Sequence, residues 1–388
     1  RGKFAEGKTT AELLKNPLEV LNSQALNSQV LKPQALNSEA STANTSHVTA
    51  NSKANEKVAA TAFKNEALLD FAVSRHRQSV EQAIQNLKSK LPIKVLPYLG
   101  GKEVAGTSVL DRVNPSATSE IVAQISLASV EQAETAIQIA QQSFKTWKYE
   151  SADKRASLLD RLADLMVRDR YSLIATQILE VGKPWAEADG DVAEAIDFCR
   201  YYANDFRKIS KGEMVGNVPG ESSWYHYQPR GIAVVIAPWN FPLAILCGMA
   251  VGAAVTGNTV IMKPAEQSSL VAKGLMDLMI EAGFPSGVVQ FLPGLGEVVG
   301  EYLVQHPLTA TIAFTGSKTV GLHILNAAST IKPGQKHVKR CMIEMGGKNA
   351  VIIDNDADLD EAVDGVLYSA FGFSGQKCSA ASRVIVLD

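Results

Sequence analysis

Cysteine is scarce and dispersed in this chain. Cys199, Cys247, Cys341 and Cys378 lie far apart with no C-x-x-C pair, which gives no support to a disulfide framework or a zinc site. The six histidines are scattered too, none four residues from another, and no metal is expected. An excess of charge is also lacking. With 38 basic and 40 acidic residues the net charge is -2, so nothing points to nucleic acid or an anionic membrane as partner. Between Gly231 and Met262 charge disappears altogether. That run exceeds the roughly 20 apolar residues of a spanning helix. Yet Pro238, Asn240, Pro242, Gly257 and Asn258 divide it into a strand (232–237), a small-residue helix (243–256) and a second strand (259–262). A buried βαβ unit accounts for the same hydrophobicity. No integral membrane segment is expected, and the cysteine usage fits a reduced, cytoplasmic protein.

What is present is enough apolar material, 46% of 388 residues, to bury two or three domains. The chain opens on Arg1 and only ten residues follow Cys378, so it reads as an internal piece of a longer protein. Residues 1–56 carry four pentads, from Val20-Leu-Asn-Ser-Gln to Ala35-Leu-Asn-Ser-Glu, then a Ser/Thr/Asn/Ala tract. A period of five matches neither helix nor strand, and a flexible low-complexity linker is expected. Apolar spacing over 56–91 predicts helix, and 57–95 is expected to form a helical linker ended near Pro92. Strands are expected at 93–101, turning at Gly100-Gly101, and at 120–125. Ser129 and Gln132 then form a capping box ahead of a helix. Helices follow at 151–168, 170–181 and 186–206. From 232 onward strands (232–237, 259–262, 288–292, 311–314, 341–344, 351–353) alternate with helices (243–256, 268–282, 297–305, 318–328). This is the pattern of an α/β fold with a parallel sheet covered on both faces and ligands at the carboxyl ends of the strands.

Three strand ends carry chemistry. Gly294-x-Gly296-x-x-x-Gly300 follows a strand like a dinucleotide fingerprint, but it is one residue too long and no acid stands about 20 residues on; a plain βα turn reads equally well. Phe314-Thr-Gly-Ser317 could meet a pyrophosphate at a helix start, or Ser317 could simply cap that helix. Lys263-Pro-Ala-Glu266 puts a cation and a carboxylate at the same edge, where a solvated loop is the plainer reading. Cys378 stands among Gly375, Gln376, Lys377 and Ser379, poor company for a core filler. A nucleophilic thiol needs a base and an oxyanion donor. No histidine is near in sequence, and Glu344, ahead of Gly346-Gly347, offers a carboxylate instead.

Ile236-Ala-Pro-Trp-Asn240-Phe-Pro-Leu, Lys263-Pro-Ala-Glu266, Phe314-Thr-Gly-Ser317, Glu344-Met-Gly-Gly-Lys-Asn and Gly375-Gln-Lys-Cys378 occur in the order and approximate spacing of the aldehyde dehydrogenase superfamily. The resemblance covers about 96–388. It implies a Rossmann-like NAD-binding domain over 96–345, with a bridging segment near 209–229, and the start of a truncated α/β catalytic domain at 346–388. It further implies that Cys378 attacks the aldehyde, that Asn240 and the Cys378 amide stabilise the oxyanion, and that Glu344 activates water. Ala237, Trp239, Lys263, Glu266, Gly296, Phe314, Gly316 and Ser317 would hold NAD. Lys263 and Glu266 would take the adenosine ribose, with Glu266 disfavouring a 2′-phosphate. Phe241 and Ser379 would contact substrate.

Within the superfamily, Glu180-Val-Gly-Lys-Pro-Trp, Glu194-Ala-Ile-Asp-Phe-Cys-Arg-Tyr-Tyr and Cys378-Ser379-Ala380 resemble the branch that oxidises L-glutamate γ-semialdehyde, the hydrolysed form of 1-pyrroline-5-carboxylate. Phe63-Lys-Asn-Glu-Ala-Leu-Leu-Asp-Phe is similar to the segment preceding that domain in bifunctional proline utilization A proteins. That similarity implies an upstream FAD-dependent proline dehydrogenase domain, channelling of substrate from it, and a homo-oligomer. The 388 residues alone would then be inactive. CoA-acylating relatives generally lack the general-base glutamate, so Glu344 argues against them. Another aldehyde class, or a nucleotide-binding relative without catalysis, remains as the alternative.

Overall fold

The computed structural model describes residues 63–387 other than residue 217; the expected linker over 1–56, with its pentads, lies outside them. The described chain begins with α1 (Ser74–Lys88), β1 (Ile93–Val95), β2 (Tyr98–Leu99), β3 (Lys102–Glu103), β4 (Ser108–Asn114) and β5 (Ala117–Leu127). Four helices follow: α2 (Val130–Trp147), α3 (Ala152–Arg168), α4 (Arg170–Val181) and α5 (Trp185–Ile209). A hairpin, β6 (Glu213–Gly216) and β7 (Ser223–Tyr225), leads into β8 (Ile232–Ile236), α6 (Ala244–Val255), β9 (Thr259–Lys263), α7 (Ser269–Ala282) and β10 (Val289–Phe291). After a π-helical turn at Gly296–Gly300 come α8 (Glu301–Gln305), β11 (Thr309–Thr315), α9 (Lys318–Ser329) and β12 (Arg340–Glu344). The last elements are β13 (Asn349–Ile353), α10 (Leu359–Phe371) and β14 (Ala381–Val386).

The main sheet runs β12-β11-β8-β9-β10-β2-β3. Its first five strands are parallel, and β2 and β3 add an antiparallel edge. Side chains alternate between two covered faces. Val235, Val260 and Met262 join a core formed with Leu159, Leu162, Ile196 and Leu246 of the flanking helices. Ile232, Val234 and Ile261 face the other way, against Ala133, Ile137 and Ala140 of α2. The uncharged run is therefore β8, α6 and β9 buried on both sides, as its punctuation predicts. Among the described residues no helix is long and apolar enough to cross a membrane. The Ser129–Gln132 capping box is formed in both directions.

Two expectations need correction. Among the described residues the helical pattern over 56–91 yields helix only from Ser74, and residues 63–70 belong to no helix or strand. Long-range polar contacts compete there with local helix propensity. Glu66 N–H and Asn65 Nδ2 donate to Asp197, Leu69 N–H donates to Asp189 Oδ2, and Arg170 donates to the Ala67 carbonyl. Arg170 Nε also pairs with Asp189 Oδ1 at 2.6 Å, both side chains nearly inaccessible. Asp189→Ala leaves the buried Arg170 only Glu66 and the Ala67 carbonyl and is expected to cost about 3 kcal/mol, read from urea denaturation; an unchanged midpoint would refute that cost. The second correction concerns 351–353. This strand lies outside the main sheet, paired in parallel only with β14 among the described residues.

Glu180 is fully buried at the end of α4 and accepts the backbone N–H groups of Leu270 and Val271 at the start of α7. Burial pushes its pKa up from the ordinary 4.5 to about 8, against the pull of those N–H groups and Arg112. The folded state thus keeps a proton that the unfolded chain releases. Stability is expected to fall as pH rises from about 4.5 through 8. Glu180→Gln should flatten that fall in denaturation midpoints taken across the window, and an identical slope would contradict the assignment.

Candidate active site

Strand register assembles the site's edge. Lys263 closes β9 beside Ile236, and Phe314 of β11 lies on the other side of Ile236, so three of the expected segments leave the sheet in one row. The chain runs outward from β8 through β9 to β10, then returns to β11 on the opposite side. The gap between β8 and β11 is the topological switch point where open α/β sheets take ligands. A cleft of about 970 Å³ opens there.

Ala237, Trp239, Asn240, Lys263, Glu266, Gly296, Phe314, Gly316, Ser317 and Cys378 all line that cleft. Lys263 is buried, and its Nζ donates to Glu266 Oε1 at 2.8 Å and to the Pro264 carbonyl at 3.0 Å. The same Glu266 oxygen accepts the Gly296 N–H at 2.9 Å, tying the glycine turn to the end of β9. The surplus residue in Gly294-x-Gly296-x-x-x-Gly300 is absorbed by the π-helical turn, which accommodates one more residue than an α turn. Gly316 admits no side chain, since a Cβ there would stand 2.6 Å from the Phe314 ring. Ser317 does cap α9, its Oγ accepting from Val320 N–H at 3.3 Å, and it lines the cleft as well.

Cys378 is exposed on the loop between α10 and β14. That loop starts with a tight turn, Gly372–Gly375, in which Phe373 (φ 50°) and Ser374 (φ 56°) take left-handed backbone conformations. A bulky residue stays there only when its surroundings hold it. Phe373 is buried and meets the Trp239 ring edge-on at 6.3 Å between centroids. Asn240 Nδ2 donates to the Gln376 carbonyl at 2.8 Å, joining the segment after β8 to the cysteine loop. Asn349 Nδ2 donates to the carbonyls of Cys378 (2.7 Å) and Ala380 (3.2 Å). Lys377 pairs with Glu187 of α5 at 2.7 Å.

Three expected residues stand apart from this wall. Glu344 ends β12 with an exposed side chain, and its carbonyl accepts the Gly316 N–H; its successors Met345, Gly346 and Gly347 line the cleft. Ser379 is exposed beyond the lining. Phe241 turns its ring toward the buried Lys183. Nothing in the sequence alone singles out Asn349, Lys183, Glu187 or Asp191. Asn349 ends the Glu344 motif and Lys183 sits in Glu180-Val-Gly-Lys-Pro-Trp, so both were in view without a reason to single them out. Asp191 and Glu187 become visible only when α5 is packed behind the two loops.

A parallel sheet with a thiol-bearing loop and a cation–carboxylate pair at its carboxyl edge defines an α/β nucleotide-site architecture. Residues 103–388 match the aldehyde dehydrogenase family profile, and the chain belongs to that family. It is 43% identical over 324 residues to 1-pyrroline-5-carboxylate dehydrogenase 1 of Halalkalibacterium halodurans, covering 84% of this chain and 63% of the relative. The crystal structure of proline utilization A from Bdellovibrio bacteriovorus aligns with a TM-score of 0.83 and 58% identity, covering 100% of this chain and 38% of that one. A Thermus 1-pyrroline-5-carboxylate dehydrogenase with bound NAD aligns with a TM-score of 0.81 and 47% identity, covering 84% and 63%. The chain thus spans less than two thirds of the length of these relatives.

Proposed function

We propose that the protein carrying this chain oxidises L-glutamate γ-semialdehyde to L-glutamate with NAD, in proline catabolism. The observation that carries this reading is the meeting of Cys378 and Asn240 with Lys263, Glu266 and Gly296 on one cleft wall. Similarity to 1-pyrroline-5-carboxylate dehydrogenases at 43–47% identity supports the substrate.

The donor set fits a dinucleotide. It offers a buried ammonium and a carboxylate suited to ribose hydroxyls, a helix-opening turn at Gly296, and a strand end at Gly316 where no Cβ intrudes. NAD, when bound, supplies the hydride acceptor. The Cys378 thiolate adds to the aldehyde carbon, and the resulting oxyanion is held by Asn240 Nδ2 and the Cys378 N–H. Loss of hydride from that carbon leaves a thioester on Sγ. Glu344 takes a proton from the water that attacks it, releasing the acid and the thiolate. For this step the exposed Glu344 side chain must swing toward the cleft that its neighbours already line.

Residues 96–345 serve as the nucleotide-binding domain in this reading, and 346–388 begin the catalytic one. The separate β13–β14 sheet supports that division. Similarity to proline utilization A along the whole chain supports substrate delivery from an upstream FAD-dependent proline dehydrogenase domain in a cytoplasmic, bifunctional protein. Met214, Val215, Trp224 and Tyr225, exposed on the β6–β7 hairpin, support self-association through the bridging segment. The test of the substrate is a comparison of kcat/KM for the semialdehyde and for propanal in the complete gene product. A preference of about 10⁴-fold for the carboxylated substrate is expected, since a site built for a polar group rejects analogues lacking it; equal values would move the protein to another aldehyde class.

A further inference from the structure

Helix α5 runs behind both loops of the candidate site. Glu187, near its start, holds Lys377 of the cysteine loop. Asp191, one turn later, is fully buried and accepts the N–H groups of Leu243 and Ala244 at 3.2 Å each, where α6 begins just after Asn240. Lys183 lies against Asp191, also shut off from solvent, with Nζ 3.7 Å from Oδ1. That is beyond hydrogen-bond length, and the ammonium has no hydrogen-bond partner among the described residues. Two rings face it instead. The Phe241 centroid is 3.9 Å away and the Phe373 centroid 5.3 Å. Phe241 adjoins Asn240, and Phe373 is the left-handed residue at the start of the cysteine loop. Cation–π attraction is strongest when the cation is desolvated, as here.

A lysine serving only as counter-ion to Asp191 would gain most by closing to hydrogen-bond distance. Lys183 instead sits between a ring of each loop, beneath the direct links that Asn240 makes to Gln376 and Trp239 makes to Phe373. We propose that Lys183 is a positioning residue: by holding Phe241 and Phe373 on one buried cation it sets the separation between the Asn240 amide and the Cys378 thiol. The proposal rests on the reading of these two as oxyanion donor and nucleophile. It also gives Phe241 a role beneath the site in place of direct substrate contact.

The test uses the complete gene product with two substitutions, Lys183→Met alone and together with Asp191→Asn. The double variant removes both charges of the pair; because the amide keeps only one oxygen for the Leu243 and Ala244 N–H groups, Asp191→Asn alone is measured beside it as the reference. Three readouts are taken: NAD affinity, the rate of the first-turnover NADH burst, and the rate at which iodoacetamide alkylates Cys378. The double variant is expected to bind NAD within about two-fold, yet to lose about 100-fold in burst rate, the scale of an ångström-sized misplacement of reacting groups. Its alkylation rate at Cys378 is expected to shift by about five-fold or more, which reads loop position whatever aldehyde the enzyme takes. Burst and alkylation rates restored to those of the unsubstituted protein would overturn the proposal and leave Lys183 a counter-ion only. Should the double variant fail to fold, Phe373→Leu removes one ring and leaves the ion pair intact. A burst about ten-fold slower is then expected, and an unchanged burst overturns the proposal. Failure of the underlying reading shows separately, as turnover that survives Cys378→Ala.

Discussion

Cys378→Ala is expected to lower NADH production by about 10⁴-fold or more while NAD affinity stays within about two-fold, because the thiol forms the covalent intermediate and alanine offers no nucleophile. The cofactor contacts proposed at Lys263, Glu266 and Gly296 belong to other strand ends, joined to one another rather than to the cysteine loop. The loop's anchors, Asn240 to the Gln376 carbonyl and Asn349 to the Cys378 carbonyl, involve no Cys378 side-chain atom, so removing the thiol leaves them in place. Equilibrium titration with NAD and steady-state absorbance of NADH measure the two quantities independently. Steady turnover retained in the variant would refute the nucleophile.

Glu344→Gln is expected to slow thioester hydrolysis by about 100-fold or more and hydride transfer far less, since general-base catalysis typically contributes 10²–10⁴-fold to the step that needs it. The signature is a rapid first-turnover burst of NADH followed by a slow steady rate, with the burst amplitude near one per active site. Glu344 sits at the end of β12, exposed and hydrogen-bonded through its backbone to Gly316. Its substitution therefore removes no buried contact. If burst and steady rate fall together, Glu344 acts before hydride transfer or supports the Gly316 turn.

The parallel sheet was legible because β8, β10 and β11 are short, uncharged and buried, and β9 is charged only at its last residue, with Pro, Gly and Asn between them. Other elements were not. β4 presents mostly exposed residues and carries no apolar alternation to betray it. The non-helical segment over 63–70 follows from partners more than 100 residues away, Asp189, Asp197 and Arg170, against a local helical period. A β-rich run such as 349–353 announces a strand but not which sheet receives it. Helix α10 has no buried residue; its signals are the Asp358 cap, which accepts from Asp360 and Glu361, and Leu359, Val363, Leu367 and Phe371 at four-residue spacing. At the site, the strand-end motifs named the residues that line the cleft. The buried supports behind them depend on helix packing, and Lys183 looks in sequence like an ordinary surface lysine after a glycine.

The covalent step is open to direct inspection. Turnover of the Glu344→Gln protein with L-glutamate γ-semialdehyde and NAD is quenched in acid during the burst, and its peptides are mass-analysed. A glutamyl thioester is expected on the Cys378 peptide, formed only when NAD is present, because without hydride loss the adduct is a reversible thiohemiacetal that the quench does not preserve. An unmodified Cys378 throughout a full NADH burst, or the acyl group on another residue, would contradict it.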